Sequence, residues 1–337
     1  MSQEQVSRIS RGRMVFRWIL RACLIGVLSI TLGTVVLWNW PTGFYRVATA
    51  IGRFACGVKR TTVAVRGVEV PTLDSAPSEP AEQPDSTQKC LTPILFLHGY
   101  GTSKEAMLRE MDWFSRSRRV IAPDLPAFGE NPLAPNQPAL DGAGYVRWIE
   151  EFRVAANLGR VDVVGESMGG AFAAAYAATY PDSVRRLVLQ SAAGVRAPRA
   201  NAVMTSVARG ENPLEISCDS DFDRVVGLCF AHPPFIPAPM RTYLVARALS
   251  QQSRSAEVID GLREFLQCGV EPLLPAIKAP TLILYGDADA ITDCSMLAVY
   301  SSGIAGSHAL LIPSAGHVIF ADAPTEARRE VSNFLDR

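Results

Sequence analysis

The sequence has no excess of charge of either sign. Its 337 residues include 33 Lys and Arg and 33 Asp and Glu, so the formal net charge is zero. Nucleic-acid binding relies on a basic surface field. We therefore expect no nucleic-acid partner.

Clusters of metal ligands are missing as well. The sequence contains four histidines, and its seven cysteines form no CxxC pair and have no histidine at the spacing of a zinc site. The cysteines are scattered, at Cys23, Cys56, Cys90, Cys218, Cys229, Cys268 and Cys294. We expect no metal site.

Charge is absent from one long apolar run near the N-terminus. Residues 22–38 hold 17 uncharged positions, which cover about 26 Å of helix. Residues 18–21 complete a span of the roughly 30 Å hydrocarbon core, and Trp18, Trp38 and Trp40 lie where aromatic belts occur. The pattern predicts a basic segment and transmembrane anchor over residues 1–40. The alternative is a cleaved signal peptide ending at "ATA", residues 48–50, which lies far from the apolar run.

Basic residues on both sides of the span give its orientation. Five arginines precede it and four basic residues follow it soon after, at Arg46, Arg53, Lys59 and Arg60. The positive-inside rule favours a cytoplasmic N-terminus and a periplasmic or extracytoplasmic main domain. Residues 41–60 also show a helical apolar stripe, formed by Phe44, Val47, Ile51 and Phe54. This stripe predicts an interfacial helix or a helix packed on the main domain.

Short apolar runs alternate with helical patterns from residue 93 onward. Examples are "PILFLHG", "RVIAPD", "RVDVVG" and "PTLILYGDAD", and before them "TTVAVRGVEV" has the alternation of a single half-buried strand. Such a pattern predicts an α/β fold with a mostly parallel, doubly wound sheet. The segment 195–275 interrupts it with helical patterns, so we expect a helical cap between core segments 61–194 and 276–337.

A serine lies between glycines in "VVGESMGG", directly after an apolar strand and before a helix of small residues. This is the context of a nucleophile elbow, in which a sharp turn holds the serine at the start of the helix. Ser167 is therefore the candidate nucleophile. A hydroxyl needs a neighbouring base, and two backbone N-H groups must face the oxyanion. We expect these donors at Met168 and, in the "HGYG" turn, at Tyr100.

His317 is the histidine expected at the same rim of the sheet as Ser167, because it follows the last strand. We expect His98 to hold its own turn, His308 to lie at the opposite edge, and His232 to pack in the cap or line a substrate path. The base also needs a carboxylate. "YGDADAITD" offers Asp287, Asp289 and Asp293 in the expected chain order. Spacing favours Asp289, with Asp287 as the second choice.

The motifs "HGYG", "PDLPAFGEN", "VVGESMGG", "GDAD" and "AGH" occur in an order and spacing that resemble the α/β-hydrolase superfamily. With the cap stretch "HPPFIP" and the N-terminal anchor, the chain looks like membrane-anchored monoacylglycerol lipases and related bacterial lipases. The resemblance implies an α/β-hydrolase fold with Ser167 as nucleophile, Asp289 as acid, His317 as base, and Tyr100 and Met168 as oxyanion donors. Cap residues near His232 and Phe235 are candidates for substrate contact.

The resemblance implies a serine ester hydrolase that acts on lipid or other small esters and requires no cofactor. An acyltransferase or thioesterase on the same triad is the alternative. Two residues depart from the family pattern. Ala127 replaces a common glycine, and Glu166 stands where histidine is frequent, beside the nucleophile.

Overall fold

The computed structural model describes residue 31 and residues 33–76, 91–131 and 139–337. The predicted membrane span lies largely outside these ranges. No helix within them is both long enough and apolar enough to cross a bilayer. The chain forms two compact units. The larger comprises Thr49–Phe235 and Val245–Arg337, and the smaller contains the described residues up to Ala48 together with Ile236–Leu244.

The larger unit is built on an eight-stranded sheet with the order β1-β2-β4-β3-β5-β6-β7-β8. The strands are β1 (Lys59–Val65), β2 (Val68–Asp74), β3 (Ile94–Leu97), β4 (Val120–Pro123), β5 (Val161–Glu166), β6 (Val184–Gln190), β7 (Thr281–Gly286) and β8 (His308–Ile312). All pairings from β4 to β8 are parallel, whereas β1 and β2 are antiparallel to their neighbours. The predicted, mostly parallel sheet is confirmed.

The prediction of a single strand in "TTVAVRGVEV" is wrong. The chain turns at Arg66 and Gly67, whose φ angles are 52° and 79°, and β1 and β2 form a hairpin. Two successive positive φ angles are typical of the turns that match the twist of a two-residue hairpin. The alternation of apolar residues shifts by one position at the turn, between Val65 and Val68.

Helices cover both faces of the sheet. The helices are α1 (Pro41–Ala55), α2 (Leu108–Phe114), α3 (Gly142–Ala155), α4 (Met168–Thr179), α5 (Ala202–Ala208), α6 (Asp219–Cys229), α7 (Ala238–Glu264), α8 (Met296–Gly303), α9 (Ile319–Asp322) and α10 (Pro324–Leu335). Helices α3 and α4 pack with Leu95, Leu97 and Val163. Helices α2 and α10 pack with Ile94 and Val164 on the other face, because side chains alternate along a strand.

Helices α5, α6 and α7 fill the segment between β6 and β7, where the sequence indicates helices. At the N-terminal side, α1 ends at Ala55, and Lys59 and Arg60 already belong to β1. The predicted helix boundary at residue 60 is therefore wrong by five residues. In the smaller unit, the rings of Tyr45 and Tyr243 stack with centroids 4.0 Å apart.

Candidate active site

Ser167 lies in a strained turn between β5 and α4. Its φ and ψ angles are 57° and −119°, a region that L-residues rarely adopt. The turn needs glycine on both sides. A Cβ at Gly165 would lie 2.4 Å from the Gly169 carbonyl oxygen, and one at Gly169 would lie 2.2 Å from the Leu97 carbonyl oxygen. The backbone therefore holds this serine at the carboxyl edge of the sheet.

The "HGYG" turn after β3 lies against this serine. A Cβ at Gly99 would be 3.3 Å from the Ser167 Cβ. Met168 is the first residue of α4, so its N-H has no acceptor within the helix. The Tyr100 hydroxyl accepts a hydrogen bond of 3.0 Å from Asn212 in the segment between β6 and β7.

The two ring nitrogens of His98 bind two different loops. Nδ1 lies 2.8 Å from the Gly99 carbonyl oxygen, and Nε2 accepts a 3.0 Å hydrogen bond from the Leu125 N-H. Burial lowers the pKa of His98, which fits a neutral ring that donates at Nδ1 and accepts at Nε2. His98 thus joins the turn after β3 to the loop after β4.

The structure brings Asp289 to His317. The imidazole Nδ1 lies 2.9 Å from Oδ2 and 3.1 Å from Oδ1 of Asp289, and both side chains are buried. Asp287 is exposed, and Asp293 forms a 3.2 Å ion pair with Arg199. Among the three candidate aspartates, Asp289 is the one placed to orient the imidazole.

Thr292 supports this pair, although the sequence analysis did not single it out. Its N-H and that of Ile291 donate to Asp289 Oδ1, at 2.9 Å and 2.8 Å. Its hydroxyl lies 2.8 Å from Asp289 Oδ2 and 3.2 Å from His317 Nδ1. The only sequence signal was the Asp-x-x-Thr spacing, which is common in ordinary capped turns.

Asp322 on α9 holds the loop that carries His317. Its carboxylate accepts hydrogen bonds from the N-H groups of Gly316, Ala231 and His232, at 2.8, 2.9 and 3.1 Å. The Val318 N-H also donates to the Cys229 carbonyl oxygen at 3.0 Å. One carboxylate thus joins the His317 loop to the end of the α6 segment. Sequence reasoning missed it because its partners lie up to 91 residues away.

Ser167 and His317 are not joined by a hydrogen bond in the described part of the chain. Such contacts are often long in a site without substrate and shorten when it binds. The predicted substrate contacts His232 and Phe235 are both exposed. No group of three or more potential metal ligands lies together among the described residues.

Comparison with known proteins identifies the family of this chain. The sequence pattern of a family described as alpha/beta hydrolase fold matches residues 92–324. The chain belongs to this family. Membership of the α/β-hydrolase superfamily, which the motifs predict, is thereby confirmed.

Similar proteins of the α/β-hydrolase family include lipases. Lipase 1 of Psychrobacter immobilis is 25% identical over 240 residues, covering 69% of this chain and 74% of that one. Human monoacylglycerol lipase ABHD6 is 25% identical over 252 residues, covering 72% and 74%. These similarities identify the protein as a lipase- or esterase-type α/β hydrolase, an enzyme of the carboxylic ester hydrolase class.

Solved structures of similar fold cover nearly the whole chain. A crystal structure of a membrane phospholipase A, described as a bacterial virulence factor, is 30% identical with a TM-score of 0.81, covering 94% of this chain and 98% of that one. Carboxylesterase CesB from Bacillus subtilis is 16% identical with a TM-score of 0.65, covering 88% and 98%, and shares the fold.

The two departures of this hydrolase from the family pattern have distinct physical consequences. Ala127 has a φ of 71°, where its side chain is strained and glycine would not be. Glu166, next to Ser167 in the sequence, is buried, and its charge acts on the imidazole of His317. Burial lowers the pKa of His317, but the charge and hydrogen bond of Asp289 and the charge of Glu166 outweigh it, and the net pKa is raised.

Proposed function

We propose that the protein is a membrane-anchored serine hydrolase that cleaves lipid esters, monoacylglycerols above all, through Ser167, His317 and Asp289. The observation that carries the proposal is the buried pair of His317 and Asp289, at 2.9 Å, on the same sheet edge as a serine in a strained elbow. In this arrangement the carboxylate fixes the imidazole tautomer with Nδ1 protonated, which leaves Nε2 unprotonated to accept the serine proton.

The reaction proceeds in two halves. His317 takes the Ser167 proton as Oγ attacks the ester carbonyl, and the N-H groups of Tyr100 and Met168 stabilise the oxyanion, each by about 3 kcal/mol. The imidazolium then protonates the leaving alcohol, and an acyl-enzyme remains. In the second half His317 activates a water molecule, which releases the fatty acid and restores Ser167.

The proposal of a lipid substrate is supported by relatives and by the N-terminal sequence. The similar proteins include a monoacylglycerol lipase and a membrane phospholipase A. The apolar run of residues 22–38 would tether the site near a bilayer that supplies amphiphilic esters. Residues 195–275 would act as a cap over the carboxyl edge of the sheet and select the acyl chain.

Labelling and product analysis together test the proposed reaction. A fluorophosphonate probe should modify a single peptide, containing Ser167, in the folded full-length protein, because only an activated serine reacts with it. In detergent micelles, the enzyme should release fatty acid from monoacylglycerols and p-nitrophenyl esters. Absence of labelling in folded protein would disprove the mechanism. Acyl transfer to an added alcohol or amine in preference to water would instead establish the acyltransferase alternative.

Helix α1 carries exposed apolar side chains that suit a lipid surface. Phe54 is 89% exposed and Ile51 is 64% exposed, and Val47 is exposed one further turn back. These positions lie on one side of a helix, since they are spaced by three or four residues. We therefore propose that this stripe lies at the membrane interface, on the face of the membrane from which the enzyme takes its ester substrate.

Replacing Ile51 and Phe54 together by serine should lower hydrolysis of monoacylglycerol in vesicles by about tenfold, since less apolar surface enters the lipid. Hydrolysis of soluble p-nitrophenyl butyrate should not change. Val154→Ser is the matched control, because Val154 is a 60% exposed apolar residue on α3, away from this stripe. An equal loss on both substrates, or the same loss in the control, would contradict the interfacial role.

A further inference from the structure

Two buried carboxyl groups lie behind the nucleophile. Glu166 ends β5 and directly precedes Ser167, and Glu110 lies on α2; both are buried. Gly165 faces α4, since a Cβ there would lie 2.8 Å from the Ala173 Cβ. Neighbouring residues of a strand point to opposite faces. Glu166 therefore faces the layer that contains α2, the helix that carries Glu110.

Gln190 is hydrogen-bonded to one of the two carboxyl groups and lies in register with the residue that carries the other. It ends β6 in register with Glu166, so the two side chains emerge on the same face of neighbouring parallel strands. The Gln190 Nε2 donates a 3.0 Å hydrogen bond to Glu110 Oε2. This amide is itself buried, and its hydrogen bond joins Glu110 to the end of β6, the strand next to β5.

The two glutamates have no ion-pair partner within the described ranges. The positive charge that acts on Glu166 is that of His317 in its protonated form. Two like charges that are buried together cannot both be ionised at low cost, so one carboxyl group keeps its proton. Burial and the charge of Glu166 raise the pKa of Glu110 to about 8. Burial also raises the pKa of Glu166, against the attraction of His317.

The groups that face the imidazole come from several elements. Asp289, in the loop after β7, lies 2.9 Å from His317 Nδ1. Glu166, at the end of β5, points to the face of the sheet on which Ala315 and Ile319, two residues on either side of His317, are packed. The charges of both carboxylates act on the imidazole. Cys229 at the end of α6 faces both carboxylates, and burial together with their charges raises the pKa of its thiol to about 12. Cys229 is therefore neutral. Asp322 on α9 binds the neighbouring Gly316 N-H.

We propose that Glu166 is a positioning residue that acts through His317, as a second carboxylate behind the imidazole, and that Glu110 is the protonated partner that limits the pair to one negative charge. This inference rests on the proposed function of His317 as general base. When Ser167 attacks, its proton moves to His317, and the imidazolium is stabilised by Asp289 and by Glu166. The pair itself neither gains nor loses a proton in the step.

The pH profile of kcat/KM tests the role of Glu166. Its negative charge favours the imidazolium, so Glu166→Gln should lower the pKa of His317. The base must be neutral to act, so the acidic limb of the profile should move to lower pH, by about half to one unit. Glu110→Gln and Cys229→Ala, which replace groups that are neutral in that range, should leave the limb in place.

An unchanged acidic limb in Glu166→Gln would overturn the inference while leaving the hydrolase proposal intact, because wild-type hydrolysis and probe labelling test the latter separately. The same shift in Cys229→Ala would also overturn it, since the effect would then not come from the charge. Fluorophosphonate labelling of Glu166→Gln confirms that the variant is folded and that Ser167 still reacts.

Thermal unfolding of Glu110→Gln provides a second test that does not need Glu166→Gln to fold. The pKa of Glu110 is raised from 4.5 to about 8. At a pH between these two values, Glu110 is protonated in the native wild type and ionised in the unfolded chain. The stability of the wild type therefore falls as pH rises through this window, and the variant lacks this contribution. The Tm of Glu110→Gln relative to wild type should rise from about pH 5 to about pH 8. Parallel curves would overturn the protonated state of Glu110.

Discussion

Ser167→Ala is expected to lower kcat for ester hydrolysis by about a million-fold, the loss seen when the nucleophile of a serine hydrolase triad is removed. The reason is chemical, because alanine cannot form the acyl-enzyme. The fold should persist, since the Ser167 side chain makes no hydrogen bond in the described part of the chain. Initial rates with p-nitrophenyl butyrate, with active sites titrated by a fluorophosphonate in the wild type, measure the loss.

Ser191→Ala is the matched control. Ser191 follows β6, the strand beside β5, and its φ of 45° is positive like the 57° of Ser167, so both variants place alanine at a positive φ. Its buried hydroxyl has no hydrogen-bond partner among the described residues. This variant should keep kcat within about twofold and lose no stability, because no hydrogen bond is removed. Wild-type rates in Ser167→Ala, or an equal loss in Ser191→Ala, would refute the assignment of the nucleophile.

Asp289→Asn should lower kcat by about ten-thousandfold, the scale seen when the triad carboxylate of a serine hydrolase becomes an amide. The carboxylate receives N-H groups from Ile291 and Thr292 and lies 2.9 Å from His317 Nδ1. An amide turns one acceptor into a donor, so it favours the tautomer in which Nδ1 is unprotonated and Nε2 carries the proton. The Nε2 atom could then no longer accept the Ser167 proton. Steady-state kcat at the pH optimum is the measurement.

Asp287→Asn tests which of the two candidate carboxylates, Asp287 or Asp289, orients the imidazole of His317. Asp287 lies two residues away and is exposed, so its variant should keep kcat within about twofold, as surface substitutions commonly do. A larger loss in Asp287→Asn than in Asp289→Asn would transfer the role to Asp287. Circular dichroism of both variants separates misfolding from loss of chemistry.

The sheet could be predicted because each of its strands is indicated by the residues of that strand alone. Continuous apolar runs such as β3 and β7 are fully buried in the structure, as expected of parallel strands covered on both faces. The hairpin of β1 and β2 could not be predicted in the same way. Arg66 adopts a positive φ, although arginine has no special preference for it, so Gly67 is the one residue of this turn that signals it in the sequence.

The candidate site was predictable as far as strand ends and residue types determine it. Ser167, His317 and the aspartate cluster all follow strands whose carboxyl ends meet at one edge. The choice among the aspartates needed the structure, because it depends on which side chain turns inward after Gly286. Thr292, Asp322 and Glu110 were missed for a similar reason, since their roles depend on partners distant in sequence or on burial.

The hydrogen bonds of Asp322 have a mechanical consequence. The same carboxylate holds the N-H groups of Ala231 and His232 on one side and that of Gly316, next to the imidazole, on the other. A displacement of residues 229–232 would break the hydrogen bonds of Ala231 and His232 to Asp322, whereas the bonds between Asp322 and Gly316 and between Asp289 and His317 do not involve that segment. The free energy of the Ala231 and His232 bonds therefore opposes any displacement of the segment that follows α6.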